Sequence, residues 1–404
     1  MLKHDRTVFP TVAMQNSKRN LALIIGGVLV AAVAILALVL YPQAKQRWTA
    51  PLGPSLGLPT RTPTTYQLIE IQEVNTPVAQ ANLTDPGQVA SQASSTSEMS
   101  IPTDTQVPTA TPAPLCGGPE SMIILALGVD GSGDYLYGLS DVIRIAYVDF
   151  VTPKVIVLDL PRDLWVEIPE LEQEHGVTHG KLNQAYFYGT PGMGYYEGPG
   201  EGAGLLARTL DLNFGLPVDH YGAVNMQTFV KIVDAVGGID IYLPTDMDGT
   251  PVDDKTEDMG YFYAGQQHFN GDQALRFSRI RKRYNVFTRV SNQNMVLCAL
   301  KDKVTSPAVL PKVPQIITAF QDSVLTDLSL EQLAQLACLV PKLDSENLIF
   351  TGIPEELLTQ SRVYSPQLKA NTFIWEADFN VIRDIISQFL AGNLASDSEG
   401  PSCP

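Results

Sequence analysis

Residues 21–41 run Leu-Ala-Leu-Ile-Ile-Gly-Gly-Val-Leu-Val-Ala-Ala-Val-Ala-Ile-Leu-Ala-Leu-Val-Leu-Tyr, without a charged side chain. As an α-helix this stretch would be roughly 31 Å long, the thickness of a bilayer's hydrocarbon core. A core helix of that length would carry a polar face. A signal-peptide apolar region is shorter, about 7–15 residues, and ends at a small-residue cleavage site. The run is therefore expected to be a transmembrane helix. Lys3, Arg6, Lys18 and Arg19 precede it, and Lys45 and Arg47 follow. That bias predicts a cytoplasmic tail over 1–20, a single pass through the cell membrane, and an extracytoplasmic body. Tyr41 and Trp48 suit the outer interface, in contact with membrane lipid.

Beyond the run the composition changes. Between Pro51 and Leu115 there are 10 Pro and 11 Thr in 65 residues, and Tyr66 is the only aromatic. Such a segment buries too little apolar area to offset its ordering entropy. Residues 42–117 are expected to form a disordered stalk. The folded body is expected at 118–303, with a C-terminal part at 304–392 packed on it and a tail at 393–404.

The chain holds 27 Lys and Arg against 43 Asp and Glu, a formal charge of −16. That balance opposes nucleic-acid binding, which favours a basic domain. Within the body, Met122–Val129 is a continuous apolar run ending in Gly128-Val129-Asp130 and predicts a buried strand. Val142–Asp149 and Lys154–Leu160 predict two more strands joined by a short hairpin connection. Helices are expected over Lys181–Tyr188, Gly202–Asn213, Met226–Val236, Val290–Lys303, Ser329–Leu339 and Phe379–Leu390. Asn270 is placed to cap a helix starting at Gly271. Ile239–Leu243 and Asn347–Gly352 predict further strands. Strands alternating with helices predict an α/β fold, and the early hairpin makes the central sheet mixed.

The sharpest chemical signal is Arg276–Arg289. It holds Arg276, Arg279, Arg281, Lys282, Arg283 and Arg289 and no acid, where the chain average would place about one basic residue. A solvated helix face usually mixes signs. Guanidinium groups bind phosphate oxygens bidentately and stay charged, and in so acidic a chain a small, enclosed pyrophosphate suits them better than a bulk polyanion. Asp130 follows the first strand, Asp141 opens the second, and Leu160-Pro161-Arg162-Asp163 ends the third. Hard carboxylate oxygens with phosphate and water suit Mg²⁺. The Gly-rich segment 189–204 lacks the Gly-Lys-Ser/Thr ending of a phosphate loop and is expected to be a loop beside the site.

Eight short motifs follow one another over about 180 residues. They are Leu127-Gly128-Val129-Asp130, Ser140-Asp141, Pro161-Arg162-Asp163, Lys181-Leu182-Asn183-Gln184-Ala185-Tyr186, Asp219-His220-Tyr221, Val233–Asp240, Phe269–Leu275 and Arg279-Ile280-Arg281, with Arg289 and Gln293 downstream. In this order they resemble the LytR–CpsA–Psr (LCP) family of cell-envelope proteins. The resemblance implies a three-layer α-β-α sandwich with a tunnel for a polyprenyl tail. It implies a phosphotransferase that moves a glycopolymer from a polyprenyl-pyrophosphate carrier to a cell-wall, typically peptidoglycan, hydroxyl. By position, Asp130 and Asp141 would hold Mg²⁺, and Arg162, Arg279, Arg281 and Arg289 would grip the pyrophosphate. The same site would also serve a hydrolase, or a non-catalytic module that binds lipid pyrophosphate or wall.

The sequence departs from the family pattern in places. Leu139 stands where an Arg usually precedes the Ser/Thr-Asp pair, Gly131-Ser132 replace Ser/Thr-Arg, and Asn292 replaces an Arg. Arg144, Lys282 and Arg283 are additional cations that would compensate, although the plainer reading of Arg144 is a solvent-side strand residue. Four cysteines fit an oxidising location and allow three connectivities. The expected pairs are Cys116–Cys403 and Cys298–Cys338.

Overall fold

The computed structural model describes residues 41–58, 112–131, 133–284, 286–366, 369–394 and 403. The expected transmembrane run lies, but for Tyr41, outside these residues. Among the described residues no helix is long and apolar enough to cross a membrane.

The elements follow in chain order: α1 (residues 41–49), β1 (Ser121–Val129), β2 (Ser140–Asp149), β3 (Lys154–Asp159) and β4 (Trp165–Glu167). Next come α2 (Glu172–His175), β5 (His179–Lys181), α3 (Leu182–Tyr188), α4 (Glu201–Phe214), β6 (His220–Asn225) and α5 (Met226–Ala235). Then follow β7 (Ile239–Leu243), β8 (Met247–Asp248), β9 (Tyr261–Phe262), β10 (Gly265–Phe269), α6 (Gly271–Arg279) and α7 (Val286–Thr305). The last part holds α8 (Val313–Phe320), β11 (Leu325–Thr326), α9 (Leu330–Leu339), β12 (Leu348–Gly352), β13 (Thr359–Ser365), β14 (Ala370–Glu376) and α10 (Phe379–Leu390).

Six strands form the central sheet in the order β11-β6-β1-β2-β3-β12. β1 runs antiparallel to β2 and parallel to β6, and β12 runs parallel to β3, so the sheet is mixed as expected. Side-chain alternation along a strand assigns its faces. Ile123, Leu125, Leu127 and Val129 of β1 share one core with Leu182 and Tyr186 of α3, Leu205 and Leu206 of α4, and Ile382 and Phe389 of α10. On the other face Met122 and Ile124 meet Leu333, Leu336 and Leu339 of α9. Further along that second face Ala126 and Gly128 line a cavity.

A second core covers this cavity. It joins Val233 of α5, Ile239 and Ile241 of β7, Phe269 of β10, Phe277 of α6 and Val296 of α7. Asn270 caps α6 as the sequence indicates. Its Oδ1 accepts from the Gln273 N–H at 2.9 Å, and Gln273 Oε1 accepts from the Asn270 N–H at 3.0 Å. A Cβ on Gly271 would lie 2.2 Å from the Val230 carbonyl oxygen, so this position sets how closely α6 approaches α5.

Three expectations are corrected. Residues 50–58, assigned to the stalk, lie against the body: Pro51 bridges Ser329, the Tyr221 hydroxyl donates to the Pro54 carbonyl at 2.9 Å, and Leu56 is 2% exposed. The disulfides are Cys116–Cys338 and Cys298–Cys403, not the expected pairs. Cys338 is on α9, which packs on the turn at Cys116, where Gln335 Nε2 donates to the Gly117 carbonyl at 2.9 Å. Cys298 faces Leu348 and Phe350 of β12, and Cys403, placed in the tail, is buried there. The third correction, Arg144, belongs to the site.

Candidate functional site

A cavity of about 550 Å³ opens between the second face of the sheet and α5, α6 and α7. Its apolar wall includes Val142, Val224, Phe229, Ile232, Leu275 and Val296. A smaller apolar cavity of about 200 Å³ shares Ile232 and Leu300 with it and reaches Ile316 and Ile317 of α8. Asp130, Asp141, Arg279, Arg281, Lys282, Arg283 and Arg289 all line the larger cavity.

Asp130 and Asp141 meet there through a register irregularity. Gly128 pairs with Val142 while Val129 pairs with Ser140, which leaves Asp141 as the extra residue of a β-bulge. A bulge re-aims side chains. In regular alternation Asp141 would point opposite to Val142, into the core under α3 and α4; with the bulge it lines the cavity. Asp130 is exposed, and its Oδ1 accepts from the Leu139 N–H at 2.5 Å.

Arg162 follows β3 in a turn fixed by backbone bonds. The Asn183 N–H donates to the Arg162 carbonyl and the Trp375 N–H to the Asp163 carbonyl, both at 3.0 Å. The Arg162 guanidinium pairs with Asp141 through Nη1 and with Asp163 Oδ2 through Nε at 3.2 Å. Lys181 Nζ holds the other Asp163 oxygen at 2.7 Å. Burial works against the charge on Arg162, but Asp141 and Asp163 outweigh it and hold the pKa above the ordinary guanidinium value.

Arg289 is the fourth residue of α7, which begins at Val286, earlier than the expected start at Val290. Burial and the neighbouring Arg162 push its pKa down, while Asp159 and Asp141 oppose the shift and Arg281 adds to it. Its Nε is buried without a hydrogen-bond partner. Residues from 141, 159, 162, 281 and 289 thus meet in one electrostatic neighbourhood.

The cationic window itself divides. Arg276 pairs with Asp272 one turn back at 2.9 Å and does not line the cavity. Arg279 makes a two-pronged contact with Glu257, at 2.8 and 3.4 Å. Arg283 Nε lies 3.0 Å from Asp248 Oδ2. Asp248, which ends β8, and Glu257, on the segment between β8 and β9, were both missed in the sequence and line the cavity mouth.

Arg144 is not a solvent-side residue. It is 3% exposed and lines the cavity floor. Its Nε lies 3.4 Å from Asp159 Oδ1, and its terminal nitrogens donate to Asn294 Oδ1 at 2.6 Å and Gln293 Oε1 at 3.2 Å. Asp159 was likewise missed. The signal for both was a lone guanidinium in an apolar strand, but pairing it with Asp159 needs the strand register.

Among the described residues no group of three His, Cys, Asp or Glu side chains could hold a metal ion. Four carboxylates line the cavity, Asp130, Asp141, Asp248 and Glu257, with no nitrogen or sulfur ligand, and such hard oxygen donors fit Mg²⁺ bound jointly with phosphate oxygens and water rather than a closed protein cage.

The α/β body thus carries an apolar cavity behind a mouth of arginines and carboxylates. The chain belongs to the LytR_cpsA_psr family, whose model matches residues 87–378. A polyisoprenyl-teichoic acid–peptidoglycan teichoic acid transferase TagU of Enterococcus faecalis is 27% identical over 258 residues, 62% of this chain and 76% of that protein. The protein of the same name from Bacillus cereus is 30% identical over 216 residues, 53% of this chain; the match spans 63% of that relative's length. The crystal structure of B. subtilis TagV superposes with a TM-score of 0.51 at 25% identity, covering 67% of this chain and 98% of that one.

Proposed function

We propose that the protein is a membrane-anchored, extracytoplasmic phosphotransferase that moves a glycopolymer from a polyprenyl-pyrophosphate carrier to a peptidoglycan hydroxyl. The observation that carries this reading is one cavity with two characters. Its mouth gathers Arg279, Arg281, Arg289, Asp130 and Asp141, with Arg162 joined through Asp141, and its inner wall is largely apolar and adjoins a second apolar cavity across Ile232 and Leu300. The pyrophosphate would lie at the mouth and the polyprenyl tail along the apolar wall. Two disulfides support an oxidising, outward location for the body. The names of the relatives supply the reaction class.

In the transfer, the acceptor hydroxyl oxygen attacks the phosphorus that carries the glycan. The bond from that phosphorus to the polyprenyl phosphate breaks, and the leaving phosphate keeps the electron pair. The hydroxyl proton passes to a carboxylate at the mouth. The product is a phosphodiester between acceptor and glycan. Phosphoryl transfer depends mainly on positioning and on neutralising charge at the phosphate oxygens. Arg162, Arg279, Arg281 and Arg289 would do both for the pyrophosphate and for the departing phosphate. Asp130 and Asp141 would hold Mg²⁺, which supplies further neutralisation when bound.

The test is an incubation of the full chain, in detergent, with Mg²⁺, a polyprenyl-pyrophosphate-linked glycan and peptidoglycan. Glycan joined to peptidoglycan with release of polyprenyl phosphate is the expected result. Release of phosphate products with no joined glycan would make the protein a hydrolase. Binding without turnover would make it a lipid-pyrophosphate binding module, a reading that Leu139 and Asn292, in place of arginines, favour.

A further inference from the structure

Arg144 lies outside the motifs that carry the family likeness, yet its side chain is 4% exposed against 20% for Arg162 and 32% for Arg279. It belongs to a row that crosses the sheet as Gly222, Ala126, Arg144 and Asp159. The first two are the smallest side chains available, and a Cβ on Gly222 would meet nothing within 4 Å. The floor is therefore open at Gly222, and Ala126, Gly222 and Arg144 line the same cavity.

A guanidinium carries five N–H groups. Asn294 takes one from Nη1, Gln293 takes one from Nη2, and Asp159 stands near Nε. One N–H on each terminal nitrogen is left for another acceptor. The charge count points the same way. Arg144 and Arg289 both feel Asp159, the carboxylate between them, and the Arg289 Nε has no partner. Arg144, Arg162, Lys181, Arg281 and Arg289 against Asp141, Asp159 and Asp163 leave an excess of positive charge there, which is costly in a low-dielectric site unless an anion enters. Asn292, at a position where the family pattern has Arg, is 1% exposed and donates to the Phe277 carbonyl at 3.3 Å, so it secures the end of α6 and faces no phosphate.

We propose that Arg144 is a further phosphate-binding residue, supplying from the sheet floor a cation that the pattern otherwise provides at positions 139 and 292, with Asp159, Gln293 and Asn294 as the positioning residues that aim it. Its ligand is one phosphoryl group of a pyrophosphate. The inference rests on the reading of the cavity as a pyrophosphate site.

The charge-conserving double variant Arg144→Met with Asp159→Asn removes one cation and one anion together and leaves the cavity's net charge unchanged. Replacing a buried ion pair by neutral groups of similar size is often tolerated. Inorganic pyrophosphate is titrated calorimetrically into the full chain with Mg²⁺ present. The double variant should bind at least about tenfold more weakly than the wild type, as for loss of a charge-assisted contact, with a wild-type circular dichroism spectrum. Arg144→Lys, which keeps the charge and loses the two-pronged fork, is the second variant and should bind at least about threefold more weakly. Binding within twofold of the wild type in a folded double variant, or in Arg144→Lys should the double variant not fold, would overturn the proposal and make the pair structural. A wild type that binds no pyrophosphate would overturn the reading of the cavity and this inference with it. Weakening by Arg281→Ala without weakening by the Arg144 variants would overturn this inference alone.

Discussion

At Arg279 a carboxylate already occupies the face that a phosphate would take. Glu257 meets that guanidinium with both oxygens in a largely exposed pair, and exposed pairs are worth about 0.2–1 kcal/mol. Glu257→Gln should therefore lower the apparent KM for the lipid-linked donor by about 1.5- to 5-fold, read from initial rates; a raised KM would show that Glu257 aids binding instead. Arg281 is exposed at the mouth, so Arg281→Ala should leave the fold intact and cut turnover at least about tenfold. An unchanged rate of polyprenyl phosphate release would remove Arg281 from the clamp. Asp159 carries a pH signature. Burial pushes its carboxyl above the usual range, against the pull of Arg144 and Arg289. The native state thus holds this proton more tightly than the unfolded chain does. The stability it contributes is full below about pH 4 and is lost as pH rises through the native value. Asp159→Asn cannot ionise, so its melting temperature relative to the wild type should climb as the pH is raised from about 4 through the native value of Asp159. A gap that stays constant across that window would contradict the assignment.

At the level of elements, the bulge at Asp141 shows where sequence and structure part. The runs that became β1, β2 and β3 and the capped start of α6 are visible because their signals are local: apolar continuity, a Pro-containing connection, and an Asn three residues ahead of a Gln. Asp130, Asp141 and Arg162 stand out because they border such strands, whereas the set of six that also holds Arg279, Arg281 and Arg289 comes from the likeness to the family. Arg144 was misplaced because alternation names two faces without saying which one holds a cavity, and only the pairing with Ala126 and Asp159 decides. The hairpins β4–β5 and β13–β14 carry no clear run. The first is three residues a side, and the second shows a half-exposed, polar pattern. Packing of α5 on α6 has its own test. Gly271→Ala would force a Cβ against the Val230 carbonyl, and such overpacking costs about 1–3 kcal/mol. Thermal melts should show the loss, and an unchanged melting temperature would mean that the two helices yield at that point without cost.

On the scale of the whole molecule, two long covalent loops pin distant parts together. Cys116–Cys338 spans 222 residues and Cys298–Cys403 spans 105. Loop-closure entropy assigns each about 5 kcal/mol at most. The second bond ties α7, which carries Arg289, Gln293 and Asn294, to the C-terminal end of the chain. Cys298→Ser with Cys403→Ser should therefore lower both the melting temperature and the affinity for pyrophosphate, whereas loss of Cys116–Cys338 should lower the melting temperature alone. Peptide mapping without reductant checks the connectivity, which the spacing of the cysteines left open because it depends on which neighbour each helix faces.

The strap formed by residues 50–58 changes what the long Pro- and Thr-rich segment can be for. Leu52 donates its N–H to the Leu328 carbonyl at 3.3 Å, Arg208 donates to the Leu56 carbonyl at 3.2 Å, and Leu115 donates to the Phe150 carbonyl at 2.8 Å. The chain is thus fastened to the same body before the segment starts and again where it ends. Lengthening residues 59–111 would not alter how far α1 stands from the cavity. A protease that nicked the chain there would yield two fragments on a denaturing gel and one undivided particle on a sizing column.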